Sequence, residues 1–360
     1  MSALLEIVDL SVRFPVKGGL LRRTVAEVRA VDGVSLAIRR GEAFGLVGES
    51  GCGKTTLARA VLQLVPPAAG SVVFDGREVT RATLPAFRRR VQAIFQDPFS
   101  SLNPRMTAGA IVGEPVRVHR LVAPDRVGAR VVELLGLCGL PRRFTELYPH
   151  EMSGGQRQRV GIARALAMEP ELIVCDEAVS ALDVSIQAQI VNLLADLRRD
   201  LGLTYLFIGH DLSVVRHLCD RVAVMYLGRV VETADSERLF AAPAHPYTRA
   251  LIDAVPNPDP ATEAMRDVQP LMGEVPSPLS PPPGCAFHPR CFIAIGRCRE
   301  AAPAIERLPG DGQHAAACWL ADPRPTKPPT KTPAQTAAQT AMATPGTDHE
   351  PEPIRQEASR

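Results

Sequence analysis

The stretch Gly48-Glu49-Ser50-Gly51-Cys52-Gly53-Lys54-Thr55-Thr56 restricts this chain more than any other segment. It has the form G-x-x-x-x-G-K-[ST]. An apolar run that reads as a strand, Ala43 to Val47, leads into it, and a helix-like run, Thr55 to Leu64, leads out. A strand–loop–helix setting is what this pattern needs to bind phosphate, and it predicts an α/β fold. The glycines let the backbone curl so that successive N–H groups point at phosphate oxygens. Lys54 supplies a point charge for the β- and γ-phosphates, Thr55 a hydroxyl for Mg²⁺, and the helix N-terminus a favourable dipole. Residues Gly48 to Thr56 are therefore expected to hold a nucleoside triphosphate.

Glu171-Leu172-Ile173-Val174-Cys175-Asp176-Glu177 has four apolar residues ending in two acids. It reads as a buried parallel strand with carboxylates at its C-terminal end, the edge where ligands sit in doubly wound sheets. Asp176 is placed to hold Mg²⁺ through water. Glu177, one residue further out, is placed to polarise an attacking water.

Met152-Ser153-Gly154-Gly155-Gln156-Arg157-Gln158-Arg159 stands at the start of a helical run, Gln156 to Met168. A Ser and two glycines at a helix N-terminus form a second anion site. The segment resembles the L-S-G-G-Q signature of ATP-binding-cassette ATPases. In that family Ser153, Gly154, Gly155 and Gln156 would face a γ-phosphate held by another subunit, which implies a head-to-tail dimer with ATP between the copies. Further resemblances follow in the family's order. Gln96, in Ile94-Phe95-Gln96-Asp97-Pro98, looks like the glutamine that senses Mg²⁺ and links to a membrane subunit. Ser180-Ala181-Leu182-Asp183 looks like the segment that crosses the dimer interface, and His210 like the histidine that contacts the γ-phosphate. Phe14, on an early strand-like segment from Ile7 to Val16, matches the family's adenine-stacking aromatic; a core Phe is the alternative. Met152, Ala178 and Gly209 depart from the usual residues, and none of these departures removes a group that performs chemistry.

The resemblance implies an ABC-type P-loop ATPase core, a RecA-like sheet plus an antiparallel β subdomain, over residues 1–240. A helical subdomain is expected as an insertion at about 97–168, with helix-like runs such as Val127 to Leu137. A strand pair, Val222 to Met225 and Arg229 to Glu232, turns near Gly228. From Ala241 the chain becomes Pro-rich, giving a C-terminal extension over 241–322. Residues 323–360 hold Pro, Thr, Ala and Gln and almost no large apolar side chain, so a disordered tail is expected there. The net charge of +2 and 4% aromatic content give no nucleic-acid signature. No apolar run approaches about 18 residues, and the N-terminus lacks a secretory pattern, so a peripheral protein on the cytoplasmic face of a membrane is expected.

Ala244-His245-Pro246-Tyr247-Thr248-Arg249-Ala250-Leu251 and Gly284-Cys285-Ala286-Phe287-His288-Pro289-Arg290-Cys291 resemble segments of oligopeptide and dipeptide importer ATPases. That peptide/nickel subfamily implies ATP hydrolysis coupled to transmembrane import. Its implied partners are a second cassette ATPase (a paralogue), two membrane permeases and an extracytoplasmic peptide-binding protein, with no nucleic acid. Nickel or glutathione import by the same subfamily is an alternative. Rival readings are a soluble cassette acting on ribosomes or DNA, a non-catalytic partner and an exporter ATPase. Two cassettes or a coiled coil are missing, Lys54, Asp176, Glu177 and His210 are intact, and the extension is present; each opposes one rival in turn.

Four of the eight cysteines, Cys285, Cys291, Cys298 and Cys318, fall in the extension with spacing C-x5-C-x6-C-x19-C. A reducing cytosol argues for metal rather than disulfides. The C-x2–4-C knuckle usual for zinc is absent, and open all-thiolate spacings suit an iron–sulfur cluster at least as well. Some members of the importer family carry a [4Fe–4S] cluster on a similar set; zinc or no metal are the alternatives. The cysteines are remote in sequence from the phosphate motifs, which predicts a structural role. Cys52, Cys138, Cys175 and Cys219 are expected to act as small buried or loop residues.

Overall fold

The computed structural model describes residues 3–18, 23–97, 101–180, 182–255, 271, 273–309 and 312–321. Ala181 and the expected tail, 323–360, lie outside the described residues.

Two sheets organise the chain. Strands β1 (Ala3–Gly18), β2 (Arg23–Arg39), β4 (Ala69–Phe74) and β5 (Arg77–Glu78) form an antiparallel sheet in the order β2-β1-β4-β5. The larger sheet has the order β11-β12-β10-β9-β3-β8-β7-β6. Its parallel part contains β3 (Ala43–Val47), β6 (Val91–Ile94), β7 (Leu172–Asp176), β8 (Thr204–Ile208) and β9 (Arg221–Tyr226). Strands β10 (Arg229–Asp235), β11 (Glu306–Arg307) and β12 (Ala315–Ala316) continue it antiparallel.

β3, and β7 up to its terminal Asp176, read as near-continuous apolar runs because both of their faces are covered. Successive side chains point to opposite faces, so each strand feeds two cores. In β3, Ala43 and Val47 enter a core shared with the helices, while Phe44 and Leu46 enter one shared with the antiparallel sheet. β7 divides Ile173 and Cys175 from Leu172 and Val174, and β8 divides Tyr205 and Phe207 from Leu206 and Ile208. Each such large apolar side chain, fully buried, contributes roughly 1.5–3 kcal/mol.

Helices α1 (Lys54–Val61) and α2 (Leu84–Arg90) flank β4 and β5 in sequence. Next come α3 (Ala108–Val118), α4 (Val127–Leu137) and α5 (Gly154–Leu166), which pack together through Ile111, Val112, Val116, Val131, Leu134 and Val160. After β7 and β8 follow α6 (Val184–Leu201) and α7 (Leu212–Leu218), then α8 (Ser236–Ala241), α9 (Pro246–Asp253) and the short α10 (Arg297–Glu300). Cys52, Cys138, Cys175 and Cys219 are all buried. Among the described residues, no helix is long and apolar enough to cross a membrane.

The C-terminal extension is built into the sheet rather than hung beside it. β12 pairs with β10 at Glu232 and Thr233. Glu232 is fully buried there, with its carboxylate accepting from the Ala244 N–H at 2.7 Å and the His245 N–H at 2.9 Å. His314 Nε2 lies 2.7 Å from the same carboxylate. Replacing Glu232 by Ala strands these buried polar groups, so we expect a loss of about 3 kcal/mol. Urea titration measures that loss, and limited proteolysis should cut the extension first. An unchanged urea midpoint would remove Glu232 from this role.

Candidate functional site

The candidate catalytic groups leave the C-terminal edge of the parallel strands. β3 runs into the phosphate loop, β7 ends on Asp176, β6 precedes Gln96 and β8 precedes His210. Because β3, β8, β7 and β6 are adjacent in that order, groups far apart in sequence arrive along one edge.

The loop's shape demands its glycines. Gly48 has φ 152° and Gly53 φ 110°. An added Cβ would stand 2.2 Å from the Met225 carbonyl oxygen at Gly48 and 2.1 Å from that of Ala30 at Gly53. Lys54 is buried, and its ammonium donates to the Gly48 carbonyl at 2.7 Å and the Glu49 carbonyl at 3.0 Å. The charge is therefore held inside the curl of the loop.

Thr55 donates its hydroxyl to Asp176 Oδ1 at 3.0 Å. Burial pushes the Asp176 carboxyl above its usual range, opposed by that hydrogen bond. A hydroxyl beside a buried carboxylate is an all-oxygen donor pair of the kind Mg²⁺ uses.

Glu177 has φ 49°, a left-handed backbone unusual for a side-chain-bearing residue. Its N–H donates to the Ile208 carbonyl at 3.0 Å, while its own carbonyl accepts from the Ser180 N–H at 3.1 Å and hydroxyl at 3.0 Å. These bonds fix a conformation that costs energy, a feature common where catalytic groups are aimed. The Glu177 carboxylate accepts from the Gln96 amide at 2.7 Å, and His210 Nδ1 lies 3.9 Å from the same oxygen. Gln96, Glu177 and His210 thus meet at one point, beside Asp176 and Thr55.

Ser153 caps α5. Its hydroxyl accepts from the Gln156 N–H at 3.4 Å, and the Gln156 side chain accepts from the Ser153 N–H at 2.9 Å. Ser153 is exposed and Gly154 half-buried, so this helix start faces outward. Asp183 caps α6 by accepting from the Ile186 N–H at 3.0 Å. Phe14 lies on β1 and is 40% exposed, which removes the alternative of a core Phe.

Two residues that sequence reasoning used only as subfamily markers touch the phosphate loop. The Tyr247 hydroxyl accepts the Glu49 N–H at 2.8 Å. Arg290 grips the Glu49 carboxylate with two nitrogens, at 2.7 and 3.0 Å. Tyr226, Tyr247 and Phe287 back them as a ring cluster, with centroids 4.7 to 5.3 Å apart. Distance in sequence was thus a poor guide to the extension, which reaches the phosphate loop directly. One signal was available: an acidic side chain within an anion-binding loop needs a cationic partner.

Cys285, Cys291, Cys298 and Cys318 line one cavity with His245, Phe287, His288 and Trp319. Burial pushes the Cys291 thiol up to about 11 and raises Cys285 and Cys318 as well. Backbone N–H groups offset part of this: Phe287 and His288 at Cys285, Ile293 at Cys291, and Leu320 at Cys318, the last at 3.4 Å. N–H donors on cysteine sulfur are among the features that tune iron–sulfur clusters. Among the described residues, no three His, Cys, Asp or Glu are grouped as a single metal ion requires.

The family described as ABC transporter matches residues 31–180, and that described as Oligopeptide/dipeptide transporter, C-terminal region, matches 231–298. The oligopeptide transport ATP-binding protein AppF of Bacillus subtilis is 47% identical, covering 88% of this chain and 97% of its own length. OppF of Escherichia coli, of the same description, is 50% identical over 89% of this chain and 97% of its own. A probable peptide ABC transporter ATP-binding protein, y4tS of Sinorhizobium fredii, is 51% identical over 89% of this chain and 91% of its own. Among solved structures, the ATP-binding cassette MJ0796, a dimer in a post-hydrolysis state bound to ADP and Pi, matches with a TM-score of 0.57. It is 29% identical and covers 64% of this chain and 98% of its own.

Proposed function

Since this chain belongs to the ABC transporter ATPases, in their oligopeptide/dipeptide branch, we propose that it hydrolyses ATP to drive the import of di- and oligopeptides. The observation that carries the reading is the convergence of Gln96, Glu177 and His210 beside the Thr55–Asp176 pair at the end of the phosphate loop. Lys54 and the loop's N–H groups bind the phosphates, and Phe14 stacks on adenine. Thr55, Asp176 and Gln96 would hold Mg²⁺, which when bound would neutralise charge on the phosphates. Glu177 takes a proton from the attacking water, and His210 steadies the γ-phosphate.

Ser153, Gly154, Gly155 and Gln156 complete the site of a second cassette, with Asp183 at the interface, so ATP closes the pair head to tail. Closure is passed through the Gln96 segment to two permeases, and an extracytoplasmic binding protein supplies the peptide. The chain works from the cytoplasmic face as a peripheral subunit. Deleting its gene should abolish growth on oligopeptides as the amino-acid source and leave growth on free amino acids intact. Growth on oligopeptides at the wild-type rate, with loss of nickel or glutathione uptake instead, would reassign the substrate.

Cys285, Cys291, Cys298 and Cys318 would hold a [4Fe–4S] cluster, which ties the Pro-rich extension together. Its support is one cavity lined by all four thiols and the N–H donors at the sulfurs of Cys285, Cys291 and Cys318. Protein purified anaerobically should be brown and contain iron and sulfide. Stoichiometric zinc would make this a zinc site, and no metal after anaerobic reconstitution would sink the idea.

A further inference from the structure

Glu49 is an anomaly within the phosphate loop. It places a carboxylate in a segment whose other groups attract anions, and its N–H, unlike a free loop amide, is taken by the Tyr247 hydroxyl at 2.8 Å. The carboxylate is neutralised by Arg290, whose side chain is only 5% exposed. Arg290 reaches this position from a single 3-10 turn, His288–Arg290, set between Cys285 and Cys291. The turn is fixed by Phe287, buried against Tyr226 and Tyr247, and by the Arg290 N–H donating to the Phe287 carbonyl at 3.0 Å. The extension thus holds both the backbone and the side chain of one loop residue.

We propose that Arg290 and Tyr247 are positioning residues for ATP binding: they hold Glu49 turned out of the phosphate cradle and cancel its charge. The inference rests on the reading of Gly48 to Thr56 as the ATP site. Without Arg290, the free carboxylate repels the incoming polyphosphate and the loop loses its outer anchor. A Lys at 290 restores the charge but not the two-pronged grip.

The test is calorimetric titration of MgATP into the full-length chain carrying Glu177→Gln to slow hydrolysis. Arg290→Gln should raise Kd about tenfold, the scale on which residues outside a ligand shell act. Arg290→Lys should fall between that variant and the parent, and Tyr247→Phe should raise Kd about threefold. Adding Glu49→Gln to Arg290→Gln should tighten binding again, because the uncompensated charge has gone. Irreversibly misfolded protein lowers the number of binding sites per chain, whereas reversible loosening raises the apparent Kd; the Glu49→Gln rescue separates loosening from the charge effect, because removing a carboxylate does not restore the lost anchor. A Kd for Arg290→Gln within about twofold of the parent, or a double variant weaker than Arg290→Gln alone, overturns the inference. Lys54→Ala, titrated alongside, should lose binding; if it binds as the parent does, the ATP-site reading falls and this inference with it.

Discussion

Replacing Glu177 by Gln should leave MgATP bound and cut steady-state hydrolysis by about 10²–10⁴-fold, the usual range for losing a general base. The fold isolates this residue's chemistry unusually well. The strained φ of 49° is set by backbone bonds to Ile208 and Ser180, which a Gln at 177 keeps. The Thr55–Asp176 pair and Lys54 are untouched, so binding survives. What is lost is a carboxylate able to take a proton, and the Gln96 amide must then face another amide. Phosphate release by the purified complex gives the rate, and rapid filtration gives the retained ATP. Turnover near that of the parent would remove Glu177 from the catalytic role.

The second large effect belongs to the signature helix. Ser153→Arg or Gly154→Asp should lower hydrolysis about 10²-fold or more, comparable to losing a preorganised anion-stabilising donor. Ser153 is exposed and caps α5, so a change there places bulk or charge at the helix start where a γ-phosphate would bind. ATP binding at the chain's own Lys54 should persist, because the damaged site is the partner cassette's. Photo-crosslinking from an ATP analogue should join Ser153 of one subunit to nucleotide held by Lys54 of the other. Crosslinks formed only within a single chain would contradict the head-to-tail arrangement.

The nucleotide end of the fold was legible in sequence because its signals are local. Ala43 to Val47 and Leu172 to Cys175 were unbroken apolar runs, and both lie in buried strands of the parallel sheet. Their ends carry Lys54 and Asp176 to one edge whatever the remaining chain does. The cap at Ser153 was likewise written within four consecutive residues. The extension was harder to place, since its contacts are long-range. Arg290 and Glu49 are 241 positions apart, and no periodicity announces a pairing across that distance. β11 and β12 are two residues each, too short to show an alternating pattern. Glu232 also read as an ordinary strand residue, and only its buried contacts with Ala244, His245 and His314 reveal it as an anchor. Phe14 shows the reverse case: its type left an exposed ring and a core ring both open, and its exposure on β1 excludes the core.

ATP hydrolysis measured in proteoliposomes tests whether this chain energises peptide import. The vesicles would hold this chain, its partner cassette and both permeases, with binding protein and peptide added on the extracytoplasmic side. Peptide-loaded binding protein should stimulate hydrolysis, labelled peptide should accumulate across the membrane only with ATP, and Glu177→Gln should abolish both. Hydrolysis indifferent to loaded binding protein, yet stimulated by ribosomes or DNA, would contradict that role.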